Sequence, residues 1–312
     1  MPRHKPSAIR HSPSLPYAIR RMTAVAILAG TVAAGVATAP PAAPAPAQTT
    51  IRIASFNIQV LGKTKVKKRT VMETLARVAR EFDVVAVQEL RDATGRAAQK
   101  YLDRINRDAE VPYAMVVGPR LGRSSSKEQY VIYYRTGVVA FVDSFTVPDA
   151  GDRFERPPLV ARFVAGQFDF RLVVSHIKPS DAPAEMAALA EVAGAVLDPT
   201  ERDVIVLGDL NADCDYFDPT DEDHAFRAGT FHWVVPDGVK TAVRTACTYD
   251  RIVLLDGTFG SEYVPGSGRV FRYDEEYGIS DDALVRAVSD HYPVFAEYRV
   301  TGPDDDGEEE QP

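Results

Sequence analysis

The sequence predicts an α/β protein in four layers, an α/β/β/α sandwich of two packed mixed β-sheets flanked by helices. Three observations carry that prediction. β-rich runs recur along most of the 312 residues, helical segments are inserted between them, and buried strands repeatedly end in polar side chains. No repeat, heptad or internal linker interrupts residues 48–300, which are read as one domain. A hydrophobic content of 45% supports a packed core and excludes disorder throughout.

In chain order, "IRIASFN" reads as a strand closing on Asn57, and residues 66–82 place Val71, Leu75, Val78 and Phe82 at helical spacing. "DVVAVQELRD" is a second buried strand, leading to Glu89. A helix is expected over 95–109, then strands at 114–117, 130–134, 138–145, 159–163 and 168–175. A third helix over 183–196 precedes strands at 204–207, 250–254 and 292–298.

The stretch "VIVLGDLNADCDYF" shows why strand ends matter. Its apolar run lacks period-2 alternation and is too short for a helix, so it reads as a strand buried on both faces. Asp209, Asn211, Asp213 and Asp215 then fall at the strand's C-terminal end, where α/β sheets commonly bind ligands. Oxygen donors two residues apart on a rigid strand end suit a hard cation such as Mg²⁺, or a phosphate held through one. An Asx-rich turn that satisfies its own backbone is the competing reading. Asn57, Glu89, His176 and the pair Asp290-His291 repeat the pattern in separate segments, which points to a common site at one end of the sandwich.

The termini differ from the body. Residues 1–47 hold five basic residues and no acid, with an uncharged run over 22–39 followed by a Pro/Ala-rich stretch containing "APA". That layout describes a removable export signal, with Arg20-Arg21 as a candidate twin-arginine pair and an uncleaved membrane anchor as the alternative. The "PDDDGEEEQP" terminus, within a segment read as 301–312, is a solvated acidic tail. Removing residues 1–47 takes the formal charge from −8 to −13, and setting the tail aside leaves −7. A polyanion-binding protein of that charge needs local basic groups or metal ions to offset repulsion. Cys214 and Cys247 are the only cysteines, and an even pair in an exported chain most simply forms one disulfide.

Eight segments in register, "ASFNIQ", "VVAVQELRD", "GRSSSKEQYVIYYR", "RFERPPLVARF", "VVSHIKP", "LGDLNADC", "TACTYDRIVL" and "SDHYPVF", resemble the endonuclease/exonuclease/phosphatase superfamily, and within it the deoxyribonuclease I-like group. "SKEQY" and "CTYDRI" separate that group from abasic-site endonucleases, inositol phosphatases and sphingomyelinases. The resemblance implies a secreted, monomeric endonuclease that hydrolyses double-stranded DNA to 5′-phosphate ends with Mg²⁺ or Mn²⁺. It also implies the Cys214–Cys247 pairing.

Phosphodiester cleavage needs charge neutralised on the phosphoryl oxygens, an activated water and a proton for the leaving oxygen. Glu89 and Asp290 suit a divalent metal, with Asn57, Asp209 and Asn211 adding contacts to metal, water or phosphate. By the family pattern His176 pairs with Glu128 and His291 with Asp250, His291 acting as general base and His176 as general acid. Asp209 as base is the variant found in the wider superfamily. Arg91 is expected at the DNA minor groove, and Arg156 and Thr245 on phosphates, with Asn211 also on the substrate. Arg91, Arg123, Arg156 and Lys178 together are the candidates for a local positive track.

The pattern is broken at three places. Ser126 stands where the family has a groove-packing tyrosine, and the flexible-loop disulfide of animal members has no counterpart. The loop "PDGVKTAVRTAC", where the family can bind structural Ca²⁺, is shorter and has Lys240 where an acid is common. Two rival readings are a phosphodiesterase or phosphatase acting on a sphingolipid or inositol phosphate, and a non-catalytic surface-binding or toxin-like subunit. Retention of both histidines and the metal acids disfavours the second.

Overall fold

The computed structural model describes residues 48–123, 127–197, 202–255, 259 and 261–302. The leader 1–47, Ser126 and tail residues 303–312 lie outside the described residues. Strands β1 (Thr50–Leu61) and β2 (Val84–Leu90) run parallel, and such neighbours need a crossover, supplied by α1 (Arg69–Ala79). After α2 (Arg96–Arg107), β3 (Tyr113–Val117) and β4 (Gln129–Arg135) pair antiparallel, β4 lying against β2. The second sheet begins with β5 (Ala140–Thr146), β6 (Leu159–Ala165) and β7 (Phe168–His176). Helix α3 (Ala182–Ala195) crosses to β8 (Val204–Asp209), parallel to β7, before β9 (Phe231–Trp233) and β10 (Asp250–Leu255). The first sheet is completed by β11 (Arg269–Val270) and β12 (Val294–Arg299), with α4 (Tyr273–Glu276) and α5 (Asp282–Val288) between them.

Both sheets have six strands and are mixed, ordered β11-β12-β1-β2-β4-β3 and β5-β6-β7-β8-β10-β9. They face each other across a core that includes Ile53, Ala86 and Ile132 from one and Leu172, Leu207 and Ile252 from the other. The outer face of the first sheet buries Phe56, Val85 and Val131 under α1, α2 and α5, and that of the second buries Val173 and Val206 under α3. Four layers result, as predicted. Because the central strands are covered on both sides, their sequences lack polar alternation.

Val71, Leu75 and Val78 are buried in α1, as their spacing requires. The predicted start of α2 at Gly95 also holds, for Gly95 occupies the N-cap with φ +69°, a left-handed geometry that glycine adopts without a Cβ penalty. Four elements were not foreseen from the sequence. β9, before β10, and β11 and α4, after it, span too few residues to show a period, and α5 rests on Asp281, whose carboxylate accepts from the amides of Ala283 and Leu284. Cys214 and Cys247 are disulfide-bonded, with Cα atoms 5.9 Å apart across a separation of 33 residues. A crosslink of this kind typically contributes about 2 to 5 kcal/mol.

Candidate active site

Strand register assembles the site. In the second sheet Asp209 at the end of β8 stands beside His176 on β7 and opposite Asp250 on β10. In the first sheet Asn57 and Glu89 fall at the parallel ends of β1 and β2, while Glu128 precedes β4 and His291 precedes β12. Gly208 allows β7 and β8 to meet this closely: a Cβ there would lie 1.7 Å from the Ser175 carbonyl oxygen. Seven of the predicted residues are thereby drawn from both sheets to one end of the sandwich.

Two histidine–carboxylate pairs form. His176 Nδ1 lies 2.6 Å from Glu128 Oε1, and His291 Nδ1 lies 2.8 Å from Asp250 Oδ2. Each carboxylate fixes its ring so that Nε2 faces inward. Both Nε2 atoms converge on Asp209 Oδ2, at 3.5 Å from His176 and 3.6 Å from His291. Asn57 Nδ2 donates to the same Asp209 oxygen at 2.9 Å and to Glu89 Oε1 at 3.3 Å, stitching the two sheets together.

Electrostatics follows from this burial. Burial opposes a charge on His176, but Glu128 and Asp209 outweigh it and raise the pKa above the ordinary value. Burial also opposes charge on His291, yet Asp250, Asp209 and Asp290 hold its pKa at about 10. Burial would raise Asp209, and the two histidines with Asn57 pull it below the usual range instead. Asp250, fully buried, is pushed up by desolvation despite His291. These surrounding anions favour the protonated imidazolium of His291 in the metal-free protein.

A stability prediction follows. The folded pKa of His291 exceeds its unfolded value of 6.5, so its contribution is complete below about 6.5 and fades as pH rises through about 10. Lys65 acts oppositely. Its pKa is lowered by burial to about 8, so its penalty is relieved between about 8 and 10.5. The urea midpoint in chelator should therefore fall from pH 6.5 to 8, and His291→Ala should flatten that fall. A wild-type midpoint constant across this window would contradict the assignment.

Lys65 itself is a residue that the sequence reading passed over. Its Nζ donates to the carbonyls of Ile58 (2.6 Å) and Gln59 (2.9 Å), where β1 carries left-handed Gln59 and Val60 at φ 45° and 52°. Val60 N in turn donates to Glu89 Oε2 at 3.0 Å, and Glu89 is left-handed as well, at φ 61°. The lysine thus braces the turn that aims Glu89. Arg251 is a second unforeseen residue: wholly buried, it pairs with Asp237 at 2.8 Å and donates to the carbonyls of Ala212 and Val235, securing the loop behind Asn211.

The "DLNADCDY" cluster divides between its two readings. Asp209 and Asn211 enter the site, Asn211 at φ 48° with Nδ2 on the Ile177 carbonyl. Asp213 instead accepts from the amides of Cys214 and Thr248, and Asp215 is exposed. Thr245 is exposed. All four bases expected to form a positive track are ion-paired: Arg91 with Glu89 and Glu128, Arg123 with Asp152, Arg156 with Glu128, and Lys178 with Asp181. Arg156 is also nearly buried, donating through Nε and Nη2 to the His176 carbonyl. Local acids have drawn these cations in, so the track is largely neutralised.

The donor set suits a hard cation. Asp209, Asp250 and His291 present ligand atoms within 4.8 Å of one another, with His291 Nδ1 and Asp250 Oδ2 bonded to each other. Glu89 and Asp290 are the more available carboxylates, with side chains 15% and 45% exposed, and both attract the Lys65 ammonium. Oxygen-rich carboxylates of this kind fit Mg²⁺-like ions better than soft metals.

The sequence pattern of the Endonuclease/Exonuclease/phosphatase family matches residues 54–291. The chain is 38% identical to human Deoxyribonuclease-1 over 260 residues, covering 78% of this chain and 90% of that protein. It is 37% identical to Deoxyribonuclease-1 of Bos taurus over the same length, with the same coverage. Among solved structures, D. rerio TDP2 complexed with single strand DNA product superposes with a TM-score of 0.57 at 17% identity, covering 80% of this chain and 99% of that one. The human Nocturnin catalytic domain gives 0.56 at 16%, covering 80% and 94%. These two likenesses establish the fold.

Proposed function

The chain belongs to the Endonuclease/Exonuclease/phosphatase family, as a deoxyribonuclease I-like phosphodiester hydrolase, and from that premise we propose a secreted, divalent-metal-dependent endonuclease that cuts DNA. The substrate is double-stranded DNA, the products carry 5′-phosphates, the cation is Mg²⁺ or Mn²⁺, and the enzyme is a monomer. The observation that carries the reading is the convergence of two carboxylate-oriented imidazoles on Asp209 Oδ2. Secretion is supported by the leader pattern of residues 1–47 and by the Cys214–Cys247 bridge.

In this mechanism the scissile phosphate lies against the two Nε2 atoms. His176, protonated through Glu128, delivers a proton to the leaving oxygen, and His291, oriented by Asp250, receives one from the attacking water. Glu89 and Asp290 would hold the divalent cation, with Asn57, Asp209 and Asn211 as further donors to metal, water or phosphate. When bound, it would supply positive charge against the phosphoryl oxygens and make a nearby water more acidic. An imidazole with a pKa near 10 is a poor proton acceptor at neutral pH, so His291 becomes a base only once the surrounding anions are offset. Asp209, low in pKa and already accepting from Asn57, is the weaker candidate for that role. Arg91 and Thr245 border the substrate, while Arg156 braces the His176 carbonyl from behind.

Supercoiled plasmid should be nicked and then linearised in Mg²⁺, and the reaction should stop in excess chelator. Cleavage that persists in chelator would remove the metal. Preferential turnover of sphingomyelin or an inositol phosphate would remove DNA as the substrate.

A further inference from the structure

The ion-paired state of Arg91, Arg123, Arg156 and Lys178 leaves open how an acidic domain holds a polyanion. A cavity of about 230 Å³ beside the catalytic loop suggests an answer. Its wall carries Lys240, Arg244, Arg272 and Arg286 against only Asp274 and Asp282, a local excess of positive charge in a domain of formal charge −7. Arg272 is fixed by both oxygens of Asp274, at 3.1 and 2.9 Å, and by Glu275 at 2.9 Å, and its guanidinium lies 4.5 Å from the Tyr292 ring centroid. Arg286 reaches Asp282 only at 3.9 Å, on the exposed surface. Among the described residues, Lys240 and Arg244 have no carboxylate within 4.0 Å.

The cavity is also rigidly placed. Val243 N donates to the Asp290 carbonyl at 2.7 Å, Tyr292 N donates to the Thr241 carbonyl at 2.7 Å, and Ala242 bridges to His291. The segment bearing Lys240 and Arg244 is therefore strand-paired to the residues that carry the proposed metal acid and base. Two cations without acidic partners, a fixed guanidinium and backbone coupling to the reaction centre are what a phosphate-contacting surface needs.

We propose that this pocket binds the backbone of the substrate duplex, with Lys240 and Arg244 contacting non-bridging oxygens of a phosphate flanking the scissile one. The proposal rests on DNA being the substrate. These contacts are independent of base sequence, and each releases counterions. Removing one should weaken binding to all duplexes alike and make its salt dependence shallower by about one unit of log K per log salt.

The test measures duplex affinity over a series of salt concentrations in the full chain carrying His291→Gln, which suppresses cleavage. Adding Lys240→Gln or Arg244→Gln should reduce the salt slope by about one unit and weaken affinity several-fold at fixed salt. Arg107→Gln, the same charge change at the C-terminal end of α2, should leave the slope alone. Parent-like slopes for the pocket variants, or an equal change from Arg107→Gln, would overturn the pocket while plasmid nicking by the wild type left the DNA reading intact. A parent that bound no duplex, together with a wild type that nicked no plasmid, would overturn both.

Discussion

His176→Ala and His291→Ala are each expected to lower plasmid nicking by about 10² to 10⁴, the range typical of losing a general acid or base. The two rings are not interchangeable spares, because each has its own carboxylate and meets Asp209 from a different sheet. At His291, alanine also strands a buried anion. Asp250 is 0% exposed and an unpaired buried carboxylate is destabilising by about 3 to 5 kcal/mol, whereas Glu128 keeps Arg91 and Arg156 when His176 is removed. Gln variants answer that objection, since the amide can donate to the partner carboxylate without exchanging a proton with substrate. His176→Gln and His291→Gln should therefore unfold closer to wild type than the alanine variants do, yet be equally inactive. A folded Gln variant with near-normal nicking would mean that its histidine transfers no proton.

The parts of this arrangement visible in the sequence are those fixed by local pattern. β8 and β10 show as apolar runs because both faces are covered, and α1 shows through Val71, Leu75 and Val78. Polar residues closing separate strands pointed to one end of the sandwich, and strand register does place Asp209 beside His176 and Asp250. The two histidine–carboxylate pairs were legible through the family resemblance rather than through spacing, since Glu128 and His176 are 48 residues apart.

Long-range packing explains what stayed hidden. In "GKTKVKKR" the lysines look alike, and only the 3-10 turn Lys65–Lys67 buries the first of its residues against the β1 carbonyls. The fate of the arginines was equally invisible. Whether Arg156 faces substrate or supports the His176 carbonyl depends on β4, β6 and β7 meeting around Glu128, which no single segment encodes. Residues 268–288 gave no signal because their elements are short and are fixed by caps such as Asp281 rather than by a period.

Asp209→Asn should also reduce nicking by at least about 10², for a reason that differs from the histidine variants. Asp209 Oδ2 is the one anion shared by both rings, and it contributes to raising both of their pKa values. Asparagine keeps the size and can keep the contact to Asn57 while deleting the charge. Both imidazoliums then lose a partner, so the ring-proton titrations of His176 and His291 followed by NMR in chelator should move to lower pH together. Asp250 still faces His291 and Glu128 still faces His176, so both should remain above the ordinary histidine value. Titrations unchanged by the substitution would mean that the Asp209 charge does not set the protonation of the two rings, whatever it does for a metal ion or for water. A joint downward shift with lost nicking is the result expected of an anion that sets the protonation of the acid and the base at once.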